Sequence, residues 1–317
     1  MADRPVVVVA DPIDGAALAE LREGPCTVVD VSGEPGRLAE HLGTAWALIV
    51  RSRTKVTAEL IGRAPHLGLI ARAGVGLDSV DVAAARARRI EVVNAPNAAT
   101  TSVAELTVAL YLLLVRELLP SIASTRAGRW ERGVRGHELN GRTVGFVGYG
   151  RIAREVARRL VPFGVRTLAY DPFVAASPDG TRLVPLDVLL AEADIVSVHA
   201  ALTPENRHLI GAPAFGKMRP GAFLVNVARG ALVDEAALAD ALRSGRLAGA
   251  ALDVFETEPP TRSVLLADPR VVPTPHLGAS TEEAQRRAGE AVVREVLRAL
   301  RGATTAVPVA ARPGGPP

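Results

Sequence analysis

Residues Thr143 to Asp171 read TVGFVGYGRIAREVARRLVPFGVRTLAYD. Val144 to Val147 is an apolar run short enough for a fully buried strand. It runs into Gly148-Tyr149-Gly150-Arg151-Ile152-Ala153, which fits the G-x-G-x-x-G/A dinucleotide pattern. Ile152, Val156, Ala157, Leu160 and Val161 then recur at helical spacing. A second apolar run, Thr167 to Tyr170, ends at Asp171, 21 positions after Gly150. Each part has a physical job. Gly148 permits the tight strand-to-helix turn, and Gly150 lets the backbone approach a pyrophosphate without a Cβ in the way. The helix opening at Arg151 and Ile152 offers free N–H groups and a partial positive charge. Asp171 can accept hydrogen bonds from ribose hydroxyls and would repel a 2′-phosphate, so the expected cofactor is NAD rather than NADP.

Working outward, the chain before this stretch alternates β-rich runs with helical patterns. The runs are Val6–Ala10, Thr27–Val31, Ala47–Val50, Leu69–Ala71 and Glu91–Val93. After it, runs at Asp194–His199, Ala222–Val227, Ala248–Leu252 and Arg270–Val272 repeat the alternation. Such alternation predicts α/β architecture with doubly wound parallel sheets. Ser102-Val-Ala-Glu105 reads as a capping box opening a long apolar helix to Leu119, and Ser280-x-x-Glu283 as another opening a helix over Thr281 to Arg301. The second helix carries an apolar stripe of Ala284, Ala288, Ala291, Val292, Val296 and Ala299 that must pack on something.

Composition narrows the function. The 317 residues suffice for two cores. The formal charge is +3, and of 37 basic residues only Lys55 and Lys217 are lysine, with the arginines dispersed among acids. With 3% aromatic residues there is little to stack bases on, so nucleic acid is not an expected partner. The single cysteine, Cys26, has no internal disulfide partner, and no Cys/His spacing suggests a metal. The N-terminus lacks a signal-peptide pattern, and the most apolar helix carries Glu105, Arg116 and Glu117. These features lead us to expect a cytoplasmic protein without a membrane partner.

Ligands in open α/β sheets bind beyond the carboxyl ends of the strands. Four stretches end strands with polar residues there: Val198-His199, Asn226-Val-Ala-Arg229-Gly230, Asp253-Val-Phe-Glu256-Thr-Glu258 and Thr274-Pro-His276. Oxidising a hydroxyl needs a base for the O–H proton while hydride leaves the same carbon. Histidine suits this, with an ordinary pKa near 6.5. A carboxylate can orient the ring, and an arginine can grip a substrate carboxylate. His276, Glu258 and Arg229 have the right chemistry. On spacing alone, each could equally be a surface histidine, a solvated acid or a structural ion pair.

A resemblance carries further. From about Ala47 to Arg301 the chain holds Arg51-Ser52, Arg72-Ala73-Gly74, Gly76-x-Asp78, Leu139-Asn-Gly141, the Gly148 turn, Asn226-x-x-Arg229-Gly230, Val233-Asp-Glu235, Ala250-Ala-Leu-Asp-Val-Phe and Pro275-His-Leu-Gly-Ala-Ser-Thr281. It resembles the D-isomer-specific 2-hydroxyacid dehydrogenases, and most closely their 3-phosphoglycerate dehydrogenase branch. The resemblance implies Arg229 on the substrate carboxylate and carbonyl, with Glu258 and His276 as the acid/base pair. It implies Asp253 on the nicotinamide carboxamide, and Gly148, Gly150, Arg151, Ile152, Asp171 and His199 around NAD. Backbone N–H groups at Gly74 and Val75 would cradle the substrate carboxylate, and Arg51 and Arg72 would meet its phosphate. It also implies a Rossmann cofactor domain (98–278) inserted in a discontinuous flavodoxin-like substrate domain (1–97 and 279–305), a flexible tail (306–317), interdomain closure that excludes water, and a homodimer formed in part by the segment around Trp130.

The expected reaction is hydride transfer between 3-phosphoglycerate and NAD, as in serine biosynthesis. Departures qualify the substrate. Val198-His199-Ala200-Ala201 lacks the usual proline, and Ala99 stands where the branch usually has a substrate-contacting Asn. Hydroxypyruvate, glyoxylate or a phosphonate analogue is therefore an alternative substrate, and a non-catalytic NAD(H)-sensing corepressor an alternative class. The chain ends at Pro317, so serine feedback through a C-terminal regulatory domain is not expected.

Overall fold

The run Val6–Val9 shows why the first sheet forms. In a computed structural model, which describes residues 4–302, Val7 and Val9 enter one apolar cluster and Val8 another on the opposite face. Both faces are covered, as a parallel sheet requires. Five strands, β1 (Val6–Val9), β2 (Thr27–Asp30), β3 (Ala45–Val50), β4 (Leu69–Arg72) and β5 (Glu91–Asn94), lie in the order β2-β1-β3-β4-β5, every pair parallel. Between them run α1 (Gly15–Glu23), α2 (Leu38–His41), α3 (Ala58–Gly62) and α4 (Val82–Ala87).

The chain continues through α5 (Thr100–Val115), α6 (Leu118–Arg126), β6 (Thr143–Val147), α7 (Arg151–Leu160), β7 (Arg166–Tyr170) and β8 (Arg182–Leu183). Then come α8 (Leu186–Glu192), β9 (Ile195–Val198), α9 (Ala212–Lys217), β10 (Ala222–Asn226), α10 (Glu235–Arg243), β11 (Leu247–Leu252), β12 (Val271–Pro273) and α11 (Glu282–Leu300). The seven strands from β6 onward form a second parallel sheet, ordered β12-β11-β10-β9-β6-β7-β8. Strand order reverses between β6 and β9, and in the first sheet between β1 and β3. These are the switch points where ligand crevices open.

Two units result, one holding the chain up to Ala99 and again from Ala279, the other Thr100–Gly278. The stripe on α11 explains the first unit's discontinuity. Ala288, Val292, Val293 and Val296 are buried in the same cluster as Ala17 and Leu21 of α1. Gly289 allows the close approach: a Cβ there would lie 3.1 Å from that of Ala17. Each fully buried valine here contributes roughly 1.5–3 kcal/mol, so α11 is part of that unit's core.

Several local expectations need correction. The long helix does not reach Leu119: α5 ends at Val115, and Glu117 adopts φ +48 before α6 begins. Ser102 lies inside α5, not at its cap, and Glu105 pairs with Arg159 at 3.3 Å. The cap of α11 is Thr281, whose hydroxyl accepts the Ala284 N–H, one residue later than the Ser280 box predicts. The two-residue β8 was missed, being too short for periodicity to show. Among the described residues no single helix is long and apolar enough to cross a membrane; α5 and α6 qualify only together, and they are bent by 69°. The predicted tail, 306–317, lies outside the described residues.

Candidate active site

The glycine turn after β6 is built for close approach. Gly148 has φ +89, and a Cβ there would fall 2.6 Å from the Ala200 backbone. Both constraints demand glycine. Gly150 caps α7 with extended backbone, and where its Cβ would stand there is open space. No side chain caps α7, and its first turn holds no acid, so the positive end of the helix dipole lies at this turn. At the end of β7, Asp171 is fixed by two backbone donors, Tyr149 N–H to Oδ2 at 2.8 Å and Phe173 N–H to Oδ1 at 2.9 Å. An open cradle at a helix N-terminus with a carboxylate beside it fits the pyrophosphate and ribose of NAD.

Three neighbouring strands, β10, β11 and β12, deliver the other polar loops. After β10, buried Asn226 accepts the Ala228 N–H (3.1 Å) and donates to the Arg229 carbonyl (2.9 Å), an Asx turn that sets Arg229. Gly230 presses this turn onto the next: a Cβ there would lie 1.9 Å from the Phe255 carbonyl carbon. After β11, the Phe255 N–H donates to Glu258 Oε1 at 3.2 Å. After β12, His276 at φ +55 brings Nδ1 within 2.9 Å of Glu258 Oε2. An ionised carboxylate only accepts, so Nδ1 carries the proton and the lone pair falls on Nε2. Nε2 has no hydrogen-bond partner among the described residues. The pair is half-exposed, His276 at 50% and Glu258 at 39%.

The first unit carries its own polar ends. Asp11, just past β1, is fully buried. It takes the Thr54 hydroxyl (2.6 Å), the Thr54 N–H (3.0 Å) and the Arg51 N–H (2.6 Å), with Arg53 at 3.4 Å. Burial pushes its carboxyl up, but these donors and the Arg53 charge outweigh that and hold it below the ordinary range. Asp11 thus shapes the loop that offers Arg51 beside the β1/β3 switch point. Burial lowers the Arg51 guanidinium pKa, opposed by Asp11. Arg72 ends β4 with its guanidinium over Gly74, where a Cβ would lie 2.3 Å from Nη1. The Gly74 N–H is donated to the Arg72 carbonyl at 2.8 Å. Of the two N–H groups expected to cradle the substrate carboxylate, that of Gly74 is thus turned onto its own chain in this structure. The Val75 carbonyl accepts from Asn94 Nδ2 at 2.6 Å, which fixes the loop.

Comparison with known proteins agrees with this geometry. The family model for the NAD-binding domain of D-isomer specific 2-hydroxyacid dehydrogenases matches residues 108–278. The chain belongs to this family. It is 49% identical to the D-3-phosphoglycerate dehydrogenase of Mycobacterium leprae, over 95% of the chain and 58% of that relative. It is 42% identical to a hydroxypyruvate reductase of Thermotoga maritima, over 93% of the chain and 98% of that protein. Among solved structures, an NAD-dependent formate dehydrogenase from Staphylococcus aureus in complex with NAD superposes with TM-score 0.84 at 32% identity, covering 95% of this chain and 97% of that one. The chain thus spans little more than half the length of the mycobacterial relative.

Three side chains around these loops have partners that sequence spacing does not show. His199 was a candidate cofactor contact, but its ring turns inward. Nε2 meets Ser197 Oγ at 2.9 Å, Nδ1 is sealed without a partner, and the ring lies 5.6 Å from Phe146. Burial drives its pKa down to about 3, so it is neutral. What this strand end gives the turn is backbone, at Ala200 against Gly148. Asp253, 1% exposed, spends its carboxylate on its own protein. Oδ1 accepts the Thr274 hydroxyl (2.6 Å) and the Leu277 N–H (2.7 Å), and Oδ2 the Gly278 N–H (2.8 Å). It braces the loop that carries His276. Tyr149 was overlooked. Buried under the turn, its hydroxyl bonds Asp179 and Thr181 and ties down the segment after Asp171; burial and Asp179 push it up to about 12. Its phenol is the unusual middle member of a G-x-G triplet, but only the fold reveals its partner 30 residues on.

Proposed function

We propose that the protein is an NAD-dependent dehydrogenase of a D-2-hydroxy acid, with D-3-phosphoglycerate as the substrate and 3-phosphohydroxypyruvate as the product. The observation that carries the chemistry is the His276–Glu258 pair at 2.9 Å with Nε2 left free. Nε2 takes the hydroxyl proton as the C2 hydride departs, and Glu258 stabilises the resulting imidazolium. Arg229 binds the substrate carboxylate and polarises the forming carbonyl. NAD, when bound at the Gly148–Gly150 turn and Asp171, supplies the hydride acceptor. The Val75 N–H meets the carboxylate, and Arg51 and Arg72 meet the phosphate, a remote dianion whose binding energy assists the reacting centre. The similarity to mycobacterial D-3-phosphoglycerate dehydrogenase supports this choice.

The enzyme works as a homodimer through α6 and the segment that follows. Leu119, Ile122, Trp130 (78% exposed) and Val134 present apolar surface there, and exposed apolar patches mark interfaces. A cytoplasmic location and a step in serine biosynthesis go with this reading. NADH formation at alkaline pH, with D-3-phosphoglycerate against D-glycerate and D-lactate, tests it. A strong preference for the phosphorylated acid, weakened selectively by Arg51→Ala, is expected; equal rates would overturn the substrate assignment.

A second reading keeps the chemistry and changes the acid. Ala99 is 4% exposed and offers no polar group, and the hydroxypyruvate reductase of Thermotoga maritima is a close relative. Faster NADH oxidation with hydroxypyruvate or glyoxylate than turnover of the phosphorylated pair would favour it. A corepressor without activity has no need of Arg229, Glu258 and His276 together, and any turnover removes it.

A further inference from the structure

Behind Glu258 lies a second set of charges that the proposed mechanism does not use. Glu256, two residues earlier on the same loop, holds Arg207 Nη2 at 2.7 Å and His208 Nε2 at 2.9 Å, both on its Oε2. Its backbone N–H donates to Glu235 Oε1 at 2.7 Å, and Glu235 Oε2 accepts the Ser263 hydroxyl at 2.9 Å. On its other flank His208 faces Asp234 at 4.0 Å. His208 itself is held at φ +53 by donation of its N–H to the Ala231 carbonyl at 2.8 Å. Two carboxylates, Glu256 and Asp234, thus flank His208, and a third, Glu235, holds the Glu256 backbone. The Arg207 guanidinium is the permanent positive charge on Glu256, and the two acids meet only through backbone donors, Glu256 N–H on Glu235 and Glu235 N–H on Glu256 at 3.4 Å.

We propose that Arg207 and His208 clamp Glu256 so that the adjoining Phe255 N–H holds Glu258 in register with His276. This rests on the reading of Glu258 and His276 as the acid/base pair. The coupling runs through one peptide link and two hydrogen bonds. Glu256 is peptide-linked to Phe255, whose N–H fixes Glu258 Oε1 at 3.2 Å, while Glu258 Oε2 meets His276 Nδ1 at 2.9 Å. Gly230 closes the other side of Phe255 and Glu256 and Glu235 holds the Glu256 N–H, so the clamp is the part of this support that grips the Glu256 carboxylate itself. Arg207, His208 and Glu256 are positioning residues: none of them needs to touch substrate. Misplacement of Glu258 by even a fraction of an ångström weakens the field that favours the imidazolium of His276.

The test is the titration of His276, followed by NMR among the six histidines of the chain, in the wild type and in Glu258→Gln, Glu256→Gln, Arg207→Ala and Arg207→Lys. It needs no substrate. Glu258→Gln is expected to lower the His276 midpoint by about one pH unit. Glu256→Gln and Arg207→Ala are expected to lower it in the same direction by about half as much, and Arg207→Lys to restore it. With D-3-phosphoglycerate and NAD, kcat of the two clamp variants falls about three- to tenfold, with KM for NAD unchanged and the acid limb of the kcat profile moved to lower pH. A merely structural loss would scale the rate with the folded fraction and leave the midpoint alone. If Glu258→Gln moves His276 while the clamp variants do not, the clamp is wrong and the acid/base pair stands. If Glu258→Gln itself leaves His276 unmoved, the pair is not coupled and the clamp falls with it.

Discussion

Two histidines, His276 and His208, meet two glutamates, Glu258 and Glu256, that lie two residues apart on one loop. The local geometry is nearly the same. Each contact is 2.9 Å, and each histidine has positive φ, +55 and +53. Their surroundings differ. His276 uses one nitrogen and leaves the other without a partner among the described residues. His208 stands between two carboxylates with Arg207 on the same oxygen of Glu256. A general base needs an uncommitted lone pair within reach of a proton; a histidine with a carboxylate at each ring nitrogen has none to offer. The difference teaches that the neighbours of a histidine's second nitrogen, more than the His–carboxylate contact itself, decide which job it can do.

The largest effect should separate the two directly. His276→Asn removes the base and should cut turnover about a hundred- to ten-thousandfold while NADH fluorescence still reports binding. His208→Asn should cost only a few-fold in the same assay. Comparable losses from the two variants would erase the distinction.

Next in size is the backbone that serves both pairs. Gly230 adopts no left-handed conformation; it is required because a Cβ would lie 1.9 Å from the Phe255 carbonyl carbon and 2.0 Å from its oxygen. Gly230→Ala must displace the loop that carries Glu256 and Glu258 together. A cost of about 3 kcal/mol or more in thermal or denaturant unfolding is expected, with turnover lost alongside. A variant as stable and active as the wild type would mean that this loop moves freely.

The two pairs were unequally legible in the sequence. His276 and Glu258 sit in motifs whose residue types suggest hydride chemistry, and the Gly148–Asp171 stretch gave the cofactor turn and the sheet around it. Arg207 and His208 carry no such signal, because they lie 49 and 48 positions from Glu256 and only parallel strand order brings them together. Asp11 was invisible for the same reason, its partner Thr54 being 43 positions away. Which way a strand-end histidine turns its ring is equally silent in the sequence, and that of His199 faces Ser197 and Phe146. The bonds by which Asp253 braces the His276 loop were hidden as well, because Thr274, Leu277 and Gly278 lie 21 to 25 positions on. Periodicity reports which face of an element is buried, and it is silent on which polar atoms meet across elements.

Asp11 offers an intermediate effect and a contrast with both half-exposed pairs. Its folded pKa lies below the ordinary 3.8, because the Thr54 and Arg51 donors and the Arg53 charge overcome its burial. A carboxyl lowered on folding stabilises the native state fully above the unfolded value, and that contribution is lost as pH falls through the folded value. Asp11→Asn should therefore destabilise by about 1–3 kcal/mol at neutral pH. The gap from wild type should narrow below about pH 3.8. Denaturant unfolding at several pH values reads this, and a gap that widens on acidification would contradict the assignment.

The smallest effect is the stability change for Arg207→Ala. Arg207 is 56% exposed and Glu256 24%, so water and salt screen their attraction. The ion pair should contribute less than about 1 kcal/mol, and raising the salt concentration should erase most of that. His208 remains on Glu256 in the variant, which limits the loss further. If the melting temperature hardly moves while the His276 midpoint does, Arg207 acts on geometry and charge at the acid/base pair and hardly at all on the fold. If instead the protein loses several kcal/mol of stability, Arg207 is holding the loop in the folded state, and the two histidine pairs share one structural purpose after all.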